Sequence, residues 1–213
     1  MRKRLVGMVT ASVLLAVALI AGHVAAAEAP KTKAAATPQK PDGKPGRAVE
    51  TLGNEHVASP STPHVPYNTA PPTSGPHLQW VAKWGVHKAP IVRELQVHNL
   101  EDGGVIVQYK CDQPCPDLVA KVEALAARYR DKAEAERASM PGPANPDRPI
   151  RSKYDHLIVA PYPDMQHQIA LTAWGRIDSF NGYDEDRIVR FIEAFIGIDH
   201  HPAHEKAPAA QKP

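Results

Sequence analysis

The residues best suited to chemistry are the chain's two cysteines, which lie four positions apart in the segment YKCDQPCP (109–116). A disulfide is the simplest expectation for two cysteines in an oxidising compartment. The loop that Cys111 and Cys115 would close is very small, so closure gains little entropy, which favours a redox or metal-binding role. Cys115 comes directly before a predicted helix, whose N-terminal potential favours a thiolate. The spacing leaves three interpretations open: a metal site, a plain disulfide or a thiol redox pair.

Histidine and methionine side chains could complete a metal site with these thiolates. His77 follows the rigid turn PPTSGP, and His98 ends a predicted strand. Met165 and His167 are two positions apart at the start of another predicted strand, so both face the same side of an extended chain. Thiolate, thioether and imidazole donors together are the set that copper(I) prefers. We expect these groups to gather around one pocket, and the predicted metal ligands are Cys111, Cys115, His77, His98 and Met165, with Asp102 and His167 as outer ligands.

Catalytic chemistry finds little support in the sequence. Ser74 lacks the context of a nucleophile elbow, and the sequence has no phosphate-binding glycine loop and no haem attachment motif. Glu101 and Asp102 are adjacent, so in an extended segment they would point in opposite directions and make a poor acid–base pair. A non-enzymatic role is therefore favoured.

The charge balance argues against nucleic acid as a partner. The chain has 25 Lys and Arg residues against 23 Asp and Glu residues, and three of the basic residues are at positions 2–4. Without them the balance is 22 against 23, with no basic excess of the kind that nucleic-acid-binding proteins carry. We therefore expect a metal ion rather than a nucleic acid as the ligand.

The N-terminus has the pattern of a secretory signal peptide. Basic residues at positions 2–4 precede an apolar run over 5–21, and Ala25, Ala26 and Ala27 supply the small residues of a cleavage site. The sequence predicts a signal peptide over 1–27 and a periplasmic or extracellular mature protein with no stable membrane span. An uncleaved membrane anchor is the alternative, because the apolar run is at the short limit of what spans a bilayer.

Composition divides the remaining chain into three parts. Residues 28–61 are rich in Pro, Ala and Lys and have almost no large apolar side chain, so we expect a disordered leader. Residues 62–198 are expected to form one folded domain. The tail, 199–213, is expected to be disordered, with His200, His201 and His204 solvated.

The elements predicted within the domain alternate between strands and helices. The β-branched run at 105–107 is typical of a buried central strand. Helical spacing of apolar residues, together with proline in a first turn and Asp184 as a helix cap, predicts two helices. This order indicates an α+β fold, a single domain with helices packed on one mixed or antiparallel sheet, possibly thioredoxin-like in order. The predicted elements are strands over 91–98, 104–109, 156–160 and 169–174 and helices over 116–130 and 185–196.

Five ordered segments carry a resemblance to a known family: PPTSGPH (71–77), VHNLE (97–101), Cys111 with CP (115–116), PYPDM (161–165) and IALTAWGR (169–176). On these segments, and over roughly residues 60–198, the domain resembles a bacterial family catalogued as domain of unknown function 3105. The family pattern has histidine where this chain has Asp102. If that position is a ligand, the resemblance implies a carboxylate in place of an imidazole, which shifts the preference toward copper(II) or zinc. The order strand, CxxxC, helix is also similar to that of Sco-type copper-assembly proteins with a thioredoxin-like fold.

Three functional hypotheses follow from these residues. The first is an exported metal-binding protein, for copper or else zinc, that acts as a chaperone, buffer or resistance factor. The second is an envelope thiol–disulfide protein in which Cys111 and Cys115 cycle between redox states and the histidines are incidental. The third is a non-enzymatic binding module held by a structural disulfide.

Overall fold

A mixed six-stranded sheet forms the centre of the described structure. The computed structural model describes residues 42–140 and 152–202. Within these ranges the strand order across the sheet is β1-β6-β5-β3-β4-β2, in which β4 pairs in parallel with β2 and β3 and the other pairs are antiparallel. The strands are β1 (Arg47–Ala48), β2 (Gly85–Val86), β3 (Val105–Tyr109), β4 (Leu157–Pro161), β5 (Ile169–Ala173) and β6 (Arg176–Phe180).

Three α-helices accompany the sheet in the described ranges: α1 (Arg93–Glu101), α2 (Pro116–Ser139) and α3 (Glu185–Phe195), with a 3-10 helix at Lys153–His156. Pro116 opens α2, where its missing N–H costs no helical hydrogen bond. Asp184 caps α3 and accepts a hydrogen bond from the backbone N–H of Arg187 at 2.9 Å. The predicted α+β class, a single domain with helices on a mixed sheet, is confirmed.

Strand β3 is buried on both faces, as its continuous apolar run predicts. One face, which includes Val105 and Val107, packs in the larger core with residues of α2 and α3 such as Leu125 and Phe191. The opposite face carries Ile106, which packs with Leu100 of α1 in a second cluster. Helix α1 therefore lies on the other side of the sheet from α2 and α3.

The strand predicted over 91–98 is wrong, because helix α1 begins within this segment, at Arg93. Leu95 and Val97 alternate with polar residues and imitate a half-buried strand. In the structure the intervening Gln96 is buried too, since its side-chain oxygen accepts a hydrogen bond from the Gln108 amide of β3 at 2.5 Å. Strands β1, β2 and β6 are further differences, since none of them is among the predicted elements.

Ordered structure also begins before the expected boundary at residue 62. Strand β1, inside the predicted leader, pairs with β6, and Val57 is buried. Asp42 forms an ion pair with Arg176 of β6. At the other end, the backbone N–H of His200 donates to the carbonyl oxygen of Glu101 at 2.8 Å, so the start of the predicted tail packs on α1.

The predicted signal peptide (1–27), the leader up to residue 41 and the tail from residue 203 lie outside the described residues. Among the helices of the described ranges, none has the length and apolar character needed to cross a membrane.

Candidate metal centre

Four histidines and two carboxylates from four parts of the chain meet at the C-terminal end of α1. His98, Glu101 and Asp102 have the i, i+3, i+4 spacing that places side chains on one helix face. His77 comes from the proline-rich loop and pairs in a short parallel β-bridge with His56. The last member, His201, follows the final helix and lies 3.6 Å, Nε2 to Oδ1, from Asp102.

Two of these imidazoles are fixed in one orientation by backbone carbonyls. His77 Nδ1 lies 2.8 Å from the oxygen of Gly75, and His98 Nδ1 lies 2.6 Å from the oxygen of Leu78. Because a carbonyl oxygen only accepts, each Nδ1 must carry the proton and donate. In the neutral rings, Nε2 of His77 and of His98 therefore presents its lone pair to the centre.

A third imidazole is held in the same way by a carboxylate. Asp199 Oδ1 accepts from Nδ1 of His201 at 2.8 Å and from the backbone N–H of the same residue at 2.9 Å. Nε2 of His201 then lies 3.6 Å from an oxygen of Glu101 and 3.6 Å from an oxygen of Asp102. Three Nε2 atoms thus face one carboxylate pair.

The contact between His77 and Glu101 is unusual for a buried pair. Nε2 of His77 lies 2.9 Å from Oε2 of Glu101, and the two side chains are 0% and 1% exposed. Within the described ranges, neither this nitrogen nor either carboxylate oxygen makes a hydrogen bond of acceptable geometry. A buried carboxylate is stable only beside a compensating positive charge, and either a protonated His77 or a cation bound at Nε2 would supply one here.

Electrostatics differ among the members of the cluster. Burial lowers the pKa of His98, and the hydrogen bond to the Leu78 carbonyl and the neighbouring carboxylates only partly oppose this effect. Burial raises the pKa of Asp102, against the opposing charges of His98 and His201. For Glu101, burial favours the neutral acid, but the contacts with His77 and Asn54 outweigh it and lower the pKa. For His201, burial is outweighed by Asp199 and the other carboxylates, which raise the pKa.

Two sets of three ligand atoms within the described residues could hold a metal ion. The first consists of His56, His77 and His98, and the second of His98, Asp102 and His201; in each set the ligand atoms lie within 4.8 Å of one another. The imidazole of His56 stacks on that of His98, with ring centroids 5.4 Å apart. With metal–nitrogen bonds of about 2.1 Å, tetrahedral ligand atoms are roughly 3.4 Å apart, so small side-chain rotations would close either set.

The two cysteines form a disulfide away from this cluster. Cys111 and Cys115, with Cα atoms 5.8 Å apart, bridge the turn between the end of β3 and the start of α2. The histidine cluster lies at the other end of β3, and a five-residue strand is about 16 Å long. The expectation of one pocket for sulfur and imidazole together is therefore wrong.

The remaining predicted ligands also lie apart from the cluster. His167 is exposed and lines the groove that contains the disulfide, together with Gln168 and Asn181. Met165 is buried against Tyr162 and Ala170, which makes it a core residue. Of the predicted ligands, the structure brings together His77, His98 and Asp102.

Sequence reasoning missed three members of the cluster. His56 was included in the leader, although Leu52 and Val57 nearby are apolar residues that a disordered segment would not need. Glu101 was set aside because an extended backbone was assumed, whereas in a helix it shares a face with His98. His201 is predicted to be solvated because it lies in the expected disordered tail, whereas in the structure its imidazole lies 3.6 Å from Asp102.

Comparison with known proteins places the chain in a family. Residues 58–210 match a family described as "Protein of unknown function (DUF3105)". The match covers most of the chain, and the chain belongs to this family. No curated protein and no solved structure matches it.

Proposed function

We propose that this protein is an exported metal-binding protein that holds a transition-metal dication, copper(II) in the first place and zinc in the second, at the histidine–carboxylate cluster. The observation that carries the proposal is the shared orientation of three imidazoles. His77, His98 and His201 each give Nδ1–H to an oxygen acceptor and turn Nε2 toward Glu101 and Asp102.

This arrangement is typical of metal ligation. Histidine ligands almost always donate their second ring N–H to a carbonyl or carboxylate, which fixes the tautomer and the direction of the lone pair. Nε2 of His77 lies 2.9 Å from the buried Glu101 carboxylate, a contact that a protonated imidazole or a bound cation would stabilise. A cation between them would satisfy both atoms.

The donor types favour copper(II) or zinc over copper(I). Imidazole suits copper and zinc, whereas copper(I) prefers thiolate and thioether ligands. The sulfur atoms of Cys111 and Cys115 are joined to each other, and Met165 packs in the core. Between the two dications, the general order of affinities favours copper.

Export is supported by two independent features. The N-terminal sequence has the pattern of a signal peptide. The disulfide is typical of compartments outside the cytoplasm. In such a compartment a site with both buried and exposed ligands, such as His77 and His56, fits a chaperone or buffer that takes up and releases its ion.

The test is metal stoichiometry and affinity, measured by native mass spectrometry and isothermal titration with copper(II) and with zinc. We expect one ion on the wild-type chain and loss of binding in His98→Ala. His87→Ala is the matched control, since His87 also contacts a backbone carbonyl oxygen, at 2.6 Å, but belongs to neither set of candidate ligands. Wild-type stoichiometry in His98→Ala, or loss of binding in Cys111→Ser/Cys115→Ser alone, would contradict the proposal.

A second candidate function is thiol–disulfide exchange at the Cys111–Cys115 bridge. Cys115 is the residue directly before α2, where the helix potential stabilises a thiolate. The bridge borders a solvent-accessible groove that His167 also lines, so a substrate thiol could reach it. Equilibration with a glutathione redox buffer tests this candidate. A reduction potential in the range of the oxidoreductases, about −120 to −270 mV, would favour it, and a bridge below about −300 mV would count against it.

A further inference from the structure

The two sets of candidate ligands share one residue. His98 belongs both to the set with His56 and His77 and to the set with Asp102 and His201. Its Nδ1 is occupied by the carbonyl of Leu78 at 2.6 Å, so only Nε2 is free to ligate. One lone pair binds one ion, and two dications within about 5 Å of each other would repel strongly.

We propose that the centre holds one ion that exchanges between two positions, with His98 as the common ligand. This inference rests on the proposed function and adds a movement of the bound ion between two sets of ligands. In the first position the ion has three imidazole ligands, His56, His77 and His98. In the second position it keeps His98 and exchanges the other two for Asp102 and His201. The exchange replaces neutral nitrogen ligands by one nitrogen and one carboxylate oxygen, and the metal keeps its oxidation state.

Glu101 is placed to accompany the ion between the two positions. Its carboxylate lies 2.9 Å from Nε2 of His77 in the first set and 3.6 Å from Nε2 of His201 in the second. Within the described ranges neither oxygen has a hydrogen bond of strict geometry, although the side chains of His77 and Asn54 lie near enough to lower the Glu101 pKa. A buried, negatively charged oxygen between two sets of imidazoles lowers the cost of an ion that is leaving one set and has not yet reached the other.

Each position also has its own contact with solvent. The first set reaches the surface at His56, which is exposed, while His77 is fully buried. The second reaches it through His201, whose side chain is 23% exposed, and Asp102, at 31%. His201 comes from the segment after α3. The C-terminal residues therefore supply one ligand of the second position, which α1 and the proline-rich loop alone do not complete. Two positions with separate solvent contacts would let an ion enter at one and leave from the other to an acceptor molecule.

The experiment compares His56→Ala with His201→Ala in the full chain, loaded with copper(II). Both residues lie at the surface, so both variants are expected to fold, and circular dichroism checks this. Native mass spectrometry gives the stoichiometry, and pulsed electron paramagnetic resonance counts the coordinated imidazoles. Transfer to an excess of a chelator such as EDTA gives the release rate.

We expect one ion on the wild type and on each single variant. His201→Ala should show three coordinated imidazoles and His56→Ala should show two, as the two sets require. His201→Ala should also release copper about tenfold more slowly, since its second position is lost while the first is intact. The double variant should bind copper far more weakly than either single variant.

Three outcomes would overturn the inference. Two ions on the wild type would mean independent sites. Identical spectra and release rates in the wild type and in His201→Ala, with one ion bound, would remove the second position while leaving the proposed function intact. Absence of copper and zinc binding to the wild type would contradict both this inference and the proposed function.

Discussion

Replacing Asn99 by alanine tests how α1 and the proline-rich loop are joined. The Asn99 side chain accepts a hydrogen bond from the backbone N–H of Ala82 at 2.8 Å and donates one to its carbonyl oxygen at 3.0 Å. Both residues are buried. Four residues earlier in the same loop, Leu78 supplies the carbonyl that orients His98. The side chain next to the central ligand therefore fixes the loop that holds that ligand.

The expected loss of stability follows from the two backbone groups that Asn99→Ala would leave without a partner. A buried donor or acceptor that loses its partner costs about 1–3 kcal/mol. With two such groups on Ala82, we expect the free energy of unfolding to fall by about 2–6 kcal/mol. This is a large share of the 5–15 kcal/mol that is typical of folded domains. For a domain of this size the midpoint of thermal unfolding should fall by roughly 5–15 °C.

The assay is thermal and urea unfolding of the metal-free protein, followed by circular dichroism. Asn99→Asp keeps the acceptor but replaces the donor by a buried negative charge, so it should destabilise the protein at least as much. Asn68→Ala is the matched control, because that exposed side chain also donates to a backbone carbonyl, of Glu50 at 2.8 Å, and should cost less than about 0.5 kcal/mol. An Asn99→Ala variant as stable as this control would refute the reasoning.

Three further perturbations test other parts of the structure. In Gly104→Ala the added Cβ would lie 2.3 Å from the backbone oxygen of Asn99, so the free energy of unfolding in urea should fall by about 1–3 kcal/mol. An unchanged unfolding midpoint would contradict this close packing. A disulfide that closes a loop with a separation of four residues stabilises the folded state by only about 2 kcal/mol, so the free energy of unfolding of Cys111→Ser/Cys115→Ser should fall by no more than that. The same variant should keep the copper stoichiometry of the wild type. Hydrogen bonds from Arg176 of β6 lower the pKa of Asp42 to about 2. The stability that this contact contributes is therefore fully present above the ordinary pKa of the carboxyl group and is lost as the pH falls through about 2. Amide hydrogen exchange in β1 should therefore be slow near pH 4 in the wild type and faster in Asp42→Asn. Equal exchange rates in the two proteins would contradict a stabilising role for the Asp42–Arg176 contact.

The sheet could be predicted where side-chain pattern and burial agree. Residues 105–107 are apolar without interruption because β3 is covered on both faces, and the apolar spacing of α3 follows its single buried stripe. Helix α1 could not be recognised in this way. Its buried positions include Gln96, Asn99 and Glu101, whose polar groups serve the loop, the neighbouring strand and the cluster, so no apolar stripe of helical period remains.

The composition of the site was only partly predictable, for a related reason. His77 and His98 stand in segments whose rigidity or burial could be inferred from the sequence. His56 and His201 stand in polar, proline-containing stretches, and their places depend on long-range backbone contacts such as Val57 N–H to His77 O at 2.7 Å. The cysteines were expected near them because soft donors often share a metal. The topology instead puts the disulfide at the end of β3 and the histidine cluster near its start, beside the C-terminal end of α1.

X-ray absorption spectroscopy of the copper(II)-loaded wild-type chain tests the central claim most directly, because it identifies the ligand atoms. The imidazole–carboxylate centre predicts a first shell of nitrogen and oxygen near 2.0 Å, with the outer-shell scattering of several imidazole rings and without sulfur. A sulfur shell near 2.3 Å, or a spectrum without imidazole scattering, would contradict the assignment of the metal to the histidine cluster.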